Sequence, residues 1–146
     1  MTPLIEKVIR HIRVLLVEDN KADARLVREA LKMSERQTEV TVAKDGQEAI
    51  EYLKGVPGFK PSCKPDIIFL DLNVPKKSGL EVLAEIKSDP SLEEVPVIVL
   101  SASNLDADIR RAYDSHANFY INKPSHFDKL FAALRYVEEI WLKDIR

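Results

Sequence analysis

The sequence predicts an α/β protein with a five-stranded parallel sheet covered by helices on both faces. From residue 12 onward, short apolar runs alternate with longer stretches in which apolar residues recur at helical spacing. Most of the runs are apolar throughout, which is typical of strands buried between two helical layers. We therefore expect right-handed crossover connections. A length of 146 residues is consistent with one such domain.

The first half of the chain supplies two strand–helix pairs. Ile12–Val17 is a β-branched run that predicts the first strand, and apolar residues fall on one helical face over residues 21–33. Residues 39–43 alternate as a strand does. Residues 45–55 form a short predicted helix closed by Gly55.

The second half continues the same pattern after a loop. Residues 56–65 contain three prolines and one glycine, which predicts irregular structure. The loop lies within the domain, because the two strands before it cannot bury a core alone. Three further strands are predicted at 66–70, 97–100 and 118–121, with helices at 79–88, at 106–115 and from about 125 to the end.

Composition excludes several classes of function. The formal net charge is −2, so no basic footprint for nucleic acid is present. No apolar run approaches the ~20 residues that span a membrane. Charged residues interrupt the first ten positions, which argues against an export signal. Cys63 is the only cysteine and cannot form an internal disulfide, in keeping with a cytoplasmic location.

Polar side chains follow four of the five predicted strands. Glu18 and Asp19 follow the first, Asp71 the third, Ser101 the fourth, and Lys123 comes just after the fifth. Ligands of open parallel sheets bind beyond the carboxyl ends of the strands. We therefore expect these five side chains to converge at one edge of the sheet.

The three acids together predict a site for a divalent cation. Crowded carboxylates repel one another, and Mg²⁺ relieves this by accepting oxygen ligands. Asp19 and Asp71 are the expected direct ligands, Glu18 acts through a bound water, and Asn73 contributes its backbone carbonyl.

The remaining groups predict phosphate chemistry. Lys123 supplies a positive charge and Ser101 a hydroxyl for phosphate oxygens, while Asp71 is a carboxylate nucleophile that can form an acyl phosphate. Taken singly, each residue has an ordinary structural explanation, such as a turn or a helix cap. Their joint occurrence at the strand ends is what favours a site.

The motifs LLVEDN, FLDLNVPKKSG, VIVLSAS and FYINKP resemble the receiver domains of two-component response regulators. The resemblance divides the chain into an N-terminal extension, residues 1–11, and a receiver domain, residues 12–146. It implies the flavodoxin-like strand order 2-1-3-4-5 and a sensor histidine kinase as phosphodonor. In this family the matching positions are the phosphoacceptor Asp71, the Mg²⁺ ligands Glu18, Asp19, Asp71 and Asn73, the switch residues Ser101 and Tyr120, and the invariant Lys123.

A narrower resemblance links the chain to the stand-alone regulators that pair with bacterial phytochromes. It rests on VEDNKADARLV, DLNVPKKSG, EVLAEIK and EEIWL. Few residues follow Trp141, so we expect output through protein contacts and no DNA-binding domain. The family also raises the expectation of a cis bond between Lys123 and Pro124.

The last helix carries two apolar stripes. Phe127, Leu130, Phe131, Leu134, Val137 and Trp141 form the expected core face, and Ala133, Tyr136 and Ile140 a second stripe beside Trp141 and Leu142. A helix that is apolar on two sides usually meets a second partner. This predicts a homodimer through the fourth helix, fifth strand and fifth helix. The alternative is packing against the N-terminal extension.

Two other functions compete with a phosphoacceptor domain that is not an enzyme. An aspartyl phosphatase of the haloacid dehalogenase type uses the same groups, but places an acidic residue where this chain has Asn73, which cannot transfer a proton. A degenerate receiver would bind a partner without phosphate. The filled acidic, hydroxyl and lysine positions disfavour it.

Overall fold

The computed structural model describes residues 11–34, 37–55, 64–103, 105–123 and 127–142, apart from three side chains in the last helix. The strands are β1 (Ile12–Val17), β2 (Thr38–Ala43), β3 (Ile67–Leu70), β4 (Val97–Ser101) and β5 (Phe119–Asn122). The helices are α1 (Lys21–Lys32), α2 (Gly46–Lys54), α3 (Gly79–Ser88), α4 (Asp106–Asp114) and α5 (Phe127–Val137), and a π-helical turn, Glu138–Leu142, continues α5.

All five strands pair in parallel in the order β2-β1-β3-β4-β5, so the predicted fold class and strand order are confirmed. The register aligns the carboxyl ends of the strands. Val17 lies beside Ala43 on one side and Leu70 on the other. Ser101 lies beside Asn122. The residues that follow β1 and β3 therefore meet at the same edge of the sheet.

The sheet separates two hydrophobic cores. Successive side chains of a strand point to opposite faces, and β3 is buried on both. Ile68 and Leu70 pack with α2, α3 and α4, whereas Ile67 and Phe69 pack with α1 and α5. Burial on both faces explains why the strand is a continuous apolar run. Within the described part of the chain, no helix has the length and apolar content to cross a membrane.

Capping side chains set where the helices next to the site begin. The carboxamide of Asn20 accepts from the backbone N–H of Asp23 at the start of α1. Ser78 and Glu81 form a reciprocal capping box at the start of α3. The predicted role of Gly55 is confirmed, since it closes α2 with a φ of 75°.

The predicted boundaries differ from the observed ones by one or two residues at most places. β5 begins at Phe119, one residue later than predicted, and the side chain of the preceding Asn118 accepts from the backbone N–H of Val97. The last helix is not α-helical throughout as predicted, since its final turn is a π-helix. The bond between Lys123 and Pro124 and the extension at residues 1–10 lie outside the described residues.

Candidate functional site

Asp71 is held rigidly at the carboxyl end of the central strand. Its backbone N–H donates to the carbonyl of Val17 (3.0 Å), and its Oδ1 accepts from the N–H of Asn73 (3.0 Å). Gly79 packs directly against it: a Cβ there would lie 2.5 Å from the Asp71 carbonyl oxygen. The close approach of the two backbones therefore requires glycine at position 79. The Asp71 carboxylate is buried.

Three carboxylates meet where the sequence predicts them. Glu18, Asp19 and Asp71 each offer an oxygen, and the three atoms lie within 4.8 Å of one another. Glu18 is only 2% exposed; its backbone N–H donates to Ala43, and its Oε2 accepts from the N–H of Asn20 (3.2 Å). Asp19 is exposed. The predicted convergence of the acidic pair with Asp71 is confirmed.

Lys123 reaches into the same cluster from β5. Its Nζ lies 2.7 Å from Glu18 Oε1, 2.9 Å from Asp23 Oδ2 and 3.1 Å from Asp71 Oδ2. The backbone N–H of Lys123 donates to the carbonyl of Ser101. One ammonium group thus touches three carboxylates, as predicted for Glu18 and Asp71 but not for Asp23.

Asp23 is the site residue that sequence reasoning missed. It lies in the first turn of α1, four residues after Asp19. Asp19 precedes the N-cap Asn20 and lies outside the helix, so the spacing of the two acids gives no helical-face signal. An acid in the first turn of a helix already has a structural explanation in the helix dipole, so Asp23 does not stand out in the sequence as a site residue.

Burial and charge shift the acid–base properties of the cluster. Burial raises the pKa of Glu18 to about 7, and the charge of Asp71 adds to the shift while Lys123 opposes it. Burial alone would lower the pKa of Lys123. Its close contacts with Glu18 and Asp23 and the charge of Asp71 outweigh that effect and raise the pKa of Lys123 above its usual range.

Ser101 and Tyr120 meet at the loop after β4. Ser101 is fully buried, and its Oγ accepts from the backbone N–H of Ser103 (3.3 Å). The Tyr120 ring packs against the core on the α2–α4 side, and its hydroxyl donates to the Ser103 carbonyl (2.8 Å). The hydroxyl of Tyr120 is therefore bonded to the loop that directly follows Ser101.

The donor set fits a hard divalent cation. Such ions take oxygen ligands, and Mg²⁺ in particular is bound through one or two carboxylates. Glu18 Oε1 is buried and accepts no well-aligned hydrogen bond among the described residues, so its contact with Lys123 is one of charge. Asn73 is exposed on the adjoining loop. The contribution of its carbonyl remains a prediction.

These features define a receiver, and the chain belongs to the response regulator receiver domain family, which matches residues 14–135. Among curated proteins it is similar to the response regulator Rcp1 of Synechocystis sp., with 42% identity over 132 residues and 90% of each chain covered. The predicted membership of the receiver family, and the resemblance to phytochrome response regulators, are confirmed.

Two solved structures extend the similarity. One is the phosphorylated cyanobacterial phytochrome response regulator RcpA, with 49% identity, a TM-score of 0.86, and coverage of 92% of this chain and 96% of that one. The other is the Mn²⁺-bound form of Rcp1, with 41% identity, a TM-score of 0.83, and coverage of 92% and 97%. The acidic pocket of this chain is consistent with a phosphoacceptor site.

Proposed function

We propose that this chain accepts a phosphoryl group on Asp71 from a sensor histidine kinase in a Mg²⁺-dependent reaction and signals through the resulting conformational change. The observation that carries the proposal is the buried Asp71 carboxylate, which lies beside two further acids and within 3.1 Å of the Lys123 ammonium. Family membership and the phosphorylated relative support the same chemistry.

The transfer step is a displacement at phosphorus. A carboxylate oxygen of Asp71 attacks the phosphorus of the phosphodonor, and a P–O bond forms as the P–N bond to the kinase histidine breaks. The electron pair of that bond leaves with the imidazole nitrogen, which takes up a proton. The product is an acyl phosphate on Asp71.

The acidic cluster is the proposed metal site. Asp19 and Asp71 would hold Mg²⁺ directly, Glu18 through a water, and Asn73 through its carbonyl. The ion, when bound, supplies positive charge to the transferring phosphoryl group. Lys123 adds a second positive charge, and its contact with Asp71 Oδ2 (3.1 Å) supports a position of the ammonium close to a phosphoryl group carried by that carboxylate.

The signal is proposed to pass through Ser101 and Tyr120. A phosphoryl group brings roughly two negative charges and three acceptor oxygens. The Ser101 hydroxyl would donate to one of those oxygens. Because the Ser103 N–H and the Tyr120 hydroxyl both bond within this loop, a movement of Ser101 is transmitted to the tyrosine. Such a two-state loop biased by a local charge is a common switch.

The kinase is proposed to be a bacterial phytochrome. The support is similarity: RcpA is described as a cyanobacterial phytochrome response regulator, and other structures of similar fold are bacteriophytochrome response regulators. A direct test is phosphotransfer from purified phytochrome kinases, compared with histidine kinases of other sensor classes. Transfer from the phytochrome kinases at the slowest rate of the set would argue against this pairing.

A homodimer through α4, β5 and α5 is the proposed output surface. Among the described residues, four of the six exposed large hydrophobic side chains lie at this edge of the sheet: Leu105, Tyr113, Tyr136 and Ile140. Tyr136 and Trp141 stack against Phe119 with ring centroids 5.5 and 5.7 Å away. A second copy can cover the stripe by twofold symmetry, since the same patch is then used by both chains.

The test of the phosphoacceptor function uses a small phosphodonor. We expect protein incubated with Mg²⁺ and acetyl phosphate to gain the mass of one phosphoryl group on Asp71. Hydroxylamine should remove this group, and protein treated with EDTA before the donor is added should not acquire it. Asp71→Asn should gain none. Release of phosphate with fast multiple turnover would instead support a phosphatase. If the parent protein, like Asp71→Asn, gains no adduct, the result would support a degenerate receiver.

A further inference from the structure

Ser103, two residues after β4, makes several hydrogen bonds that fix the loop following Ser101. Its N–H donates to Ser101 Oγ (3.3 Å), and its hydroxyl donates to Asp108 at the start of α4. Its carbonyl accepts two hydrogen bonds, from the Tyr120 hydroxyl (2.8 Å) and from Asn122 Nδ2 (3.0 Å). Its Oγ also accepts from the backbone N–H of Leu105 (3.3 Å), so the backbone and side chain of Ser103 make five hydrogen bonds in all.

The two donors to the carbonyl come from the same face of one strand. Tyr120 and Asn122 are two residues apart in β5, and side chains at that spacing point the same way. A carbonyl oxygen has two lone pairs, so it accepts both donors together. The Asn122 contact therefore does not displace the tyrosine contact.

Asn122 also lies where the carboxyl ends of β4 and β5 meet. It lies beside Ser101 in the β4–β5 register, and the next residue, Lys123, donates its backbone N–H to the Ser101 carbonyl. The backbone pairs β4 with β5 up to Ser101, and the Asn122 carboxamide extends that pairing to Ser103. The loop is fixed to β5 by one bond that needs the tyrosine hydroxyl and one that does not.

We propose that Asn122 is a positioning residue: its carboxamide latches the Ser103 carbonyl to β5, and it thereby holds the Ser101 hydroxyl independently of Tyr120. Because the Ser103 N–H donates to Ser101 Oγ, a fixed Ser103 backbone keeps this donor in place beside the hydroxyl. The latch itself exists without phosphate. Its relevance to signalling rests on the proposed function, because only there does Ser101 meet a phosphoryl group.

Amide hydrogen exchange on unphosphorylated protein tests the latch. Asn122→Leu keeps the side-chain size and removes the donor, and we expect the exchange rate at Ser103 to rise about 2- to 10-fold, the range for the loss of one ordinary hydrogen bond. The same rise is expected when Tyr120→Phe is the starting protein. The β3 amides serve as an internal reference and should exchange as in the parent.

A matched control is Gln47→Leu, which removes an exposed carboxamide bonded to Glu51 in α2. It should leave the exchange of Ser103 unchanged. The proposal is overturned if Asn122→Leu leaves Ser103 exchange at the parent rate, or if its effect disappears in the Tyr120→Phe background. If the β3 amides accelerate as much as Ser103, the effect is global and the latch is also rejected.

A second arm links the latch to phosphorylation. In protein treated with Mg²⁺ and beryllofluoride, a phosphoryl mimic, we expect Ser103 in Asn122→Leu to keep exchanging faster than in the parent. Equal rates in the two treated proteins would overturn the positioning role. Failure of Asp71 to bind the mimic would overturn the proposed function instead, and the exchange result without the mimic would stand by itself.

Discussion

Lys123 is the residue at which the charges of the site are balanced. Glu18, Asp23 and Asp71 all lie within 3.1 Å of its ammonium group, and two of the three carboxylates are almost completely buried. Buried like charges repel unless a cation lies between them. A divalent ion held by Glu18 and Asp71, as proposed, would share these carboxylates with the lysine, so removal of either cation should make the other more important to stability.

Lys123→Met tests whether the ammonium group and Mg²⁺ compete for these carboxylates. The variant keeps the side-chain length and removes the charge, so buried acidic oxygens lose their partner. Without Mg²⁺ we expect the free energy of unfolding to fall by about 1–3 kcal/mol. Added Mg²⁺ should stabilise the variant more than the parent, because no ammonium competes for the carboxylates. Urea unfolding with and without Mg²⁺ measures both effects.

The control for that experiment is Lys44→Met, which removes an exposed lysine that follows β2 at the same edge of the sheet. It should change neither the stability nor the gain from Mg²⁺. Equal Mg²⁺ stabilisation of Lys123→Met and the parent would contradict the shared use of the carboxylates.

At the scale of elements, the amino end of α2 supports the loop that follows β3. The N–H of Gly46 donates to the carbonyl of Pro75, and Lys76 adopts a φ of 68° with its Nζ 3.5 Å from Asp45, the cap of α2. Lys77 pairs with Glu85 of α3. The two lysines after Pro75 thus tie the loop to both neighbouring helices, which gives them a structural role.

Gly46→Ala should disturb this support. A Cβ at Gly46 would lie 1.8 Å from the carbonyl oxygen of Lys77, so α2 and the loop must move apart. We expect the free energy of unfolding to fall by about 1–3 kcal/mol, as for other overpacked sites. Mg²⁺ affinity should fall as well, because the loop also carries Asn73.

Gln47→Ala is the matched control for Gly46→Ala, since it alters an exposed side chain of the same helical turn. Urea unfolding and titration with Mg²⁺ measure the two quantities. A Gly46→Ala variant with the stability of the parent would show that the close packing has no energetic consequence.

A second contact between elements makes stability depend on pH. Bonds from Lys54 and Ser91 lower the pKa of Asp89, which caps the end of α3, to about 2 from an ordinary value of 3.8. The pKa of the folded state is the lower one, so the stabilisation is fully present above about pH 4. It is lost as the pH falls from there towards 2.

Asp89→Asn should remove this contribution. The difference in free energy of unfolding between the parent and the variant is expected to be constant above about pH 4 and to shrink towards pH 2. Glu94→Gln, an exposed substitution in the following turn, is the control and should show no such trend. Urea unfolding between pH 2 and 7 tests this. A difference that stays constant to pH 2 would contradict the assignment.

At the scale of the whole molecule, β5 is an edge of the sheet and carries the apolar surface. Edge strands present unpaired backbone groups and are commonly covered by other structure. Here α4 and α5 flank β5, and Tyr136 and Ile140 are 51% and 46% exposed. The predicted second stripe of the last helix is therefore present at the surface, where Tyr136 lies beside Phe119 of β5.

Ile140→Glu tests the proposed dimer. A charge placed in an apolar interface must be desolvated without a partner, so we expect the dimer fraction of phosphorylated protein to fall at least tenfold in sedimentation measurements. Leu26→Glu alters an exposed leucine of α1 and should leave association unchanged. A parent protein that stays monomeric at high concentration, phosphorylated or not, would contradict the dimer itself.

The sequence by itself determined the fold class, the order in which strands and helices follow, and the convergence of Glu18, Asp19, Asp71 and Lys123. These depend on local periodicity and on the rule that parallel strands end at one edge, so they can be inferred without coordinates. Element boundaries could be predicted to within one or two residues at most places, as at Gly55, which closes α2.

Only the tertiary structure decided which groups share a partner. Asp23 joins Lys123 across 100 residues of sequence, and Tyr120 and Asn122 meet at one carbonyl of a loop from another strand. Neither contact has a periodic signal, because each depends on side-chain directions and on the packing of α1 and α4 against the sheet. Local sequence patterns specify which elements form, whereas the close packing between elements specifies which polar atoms come within bonding distance.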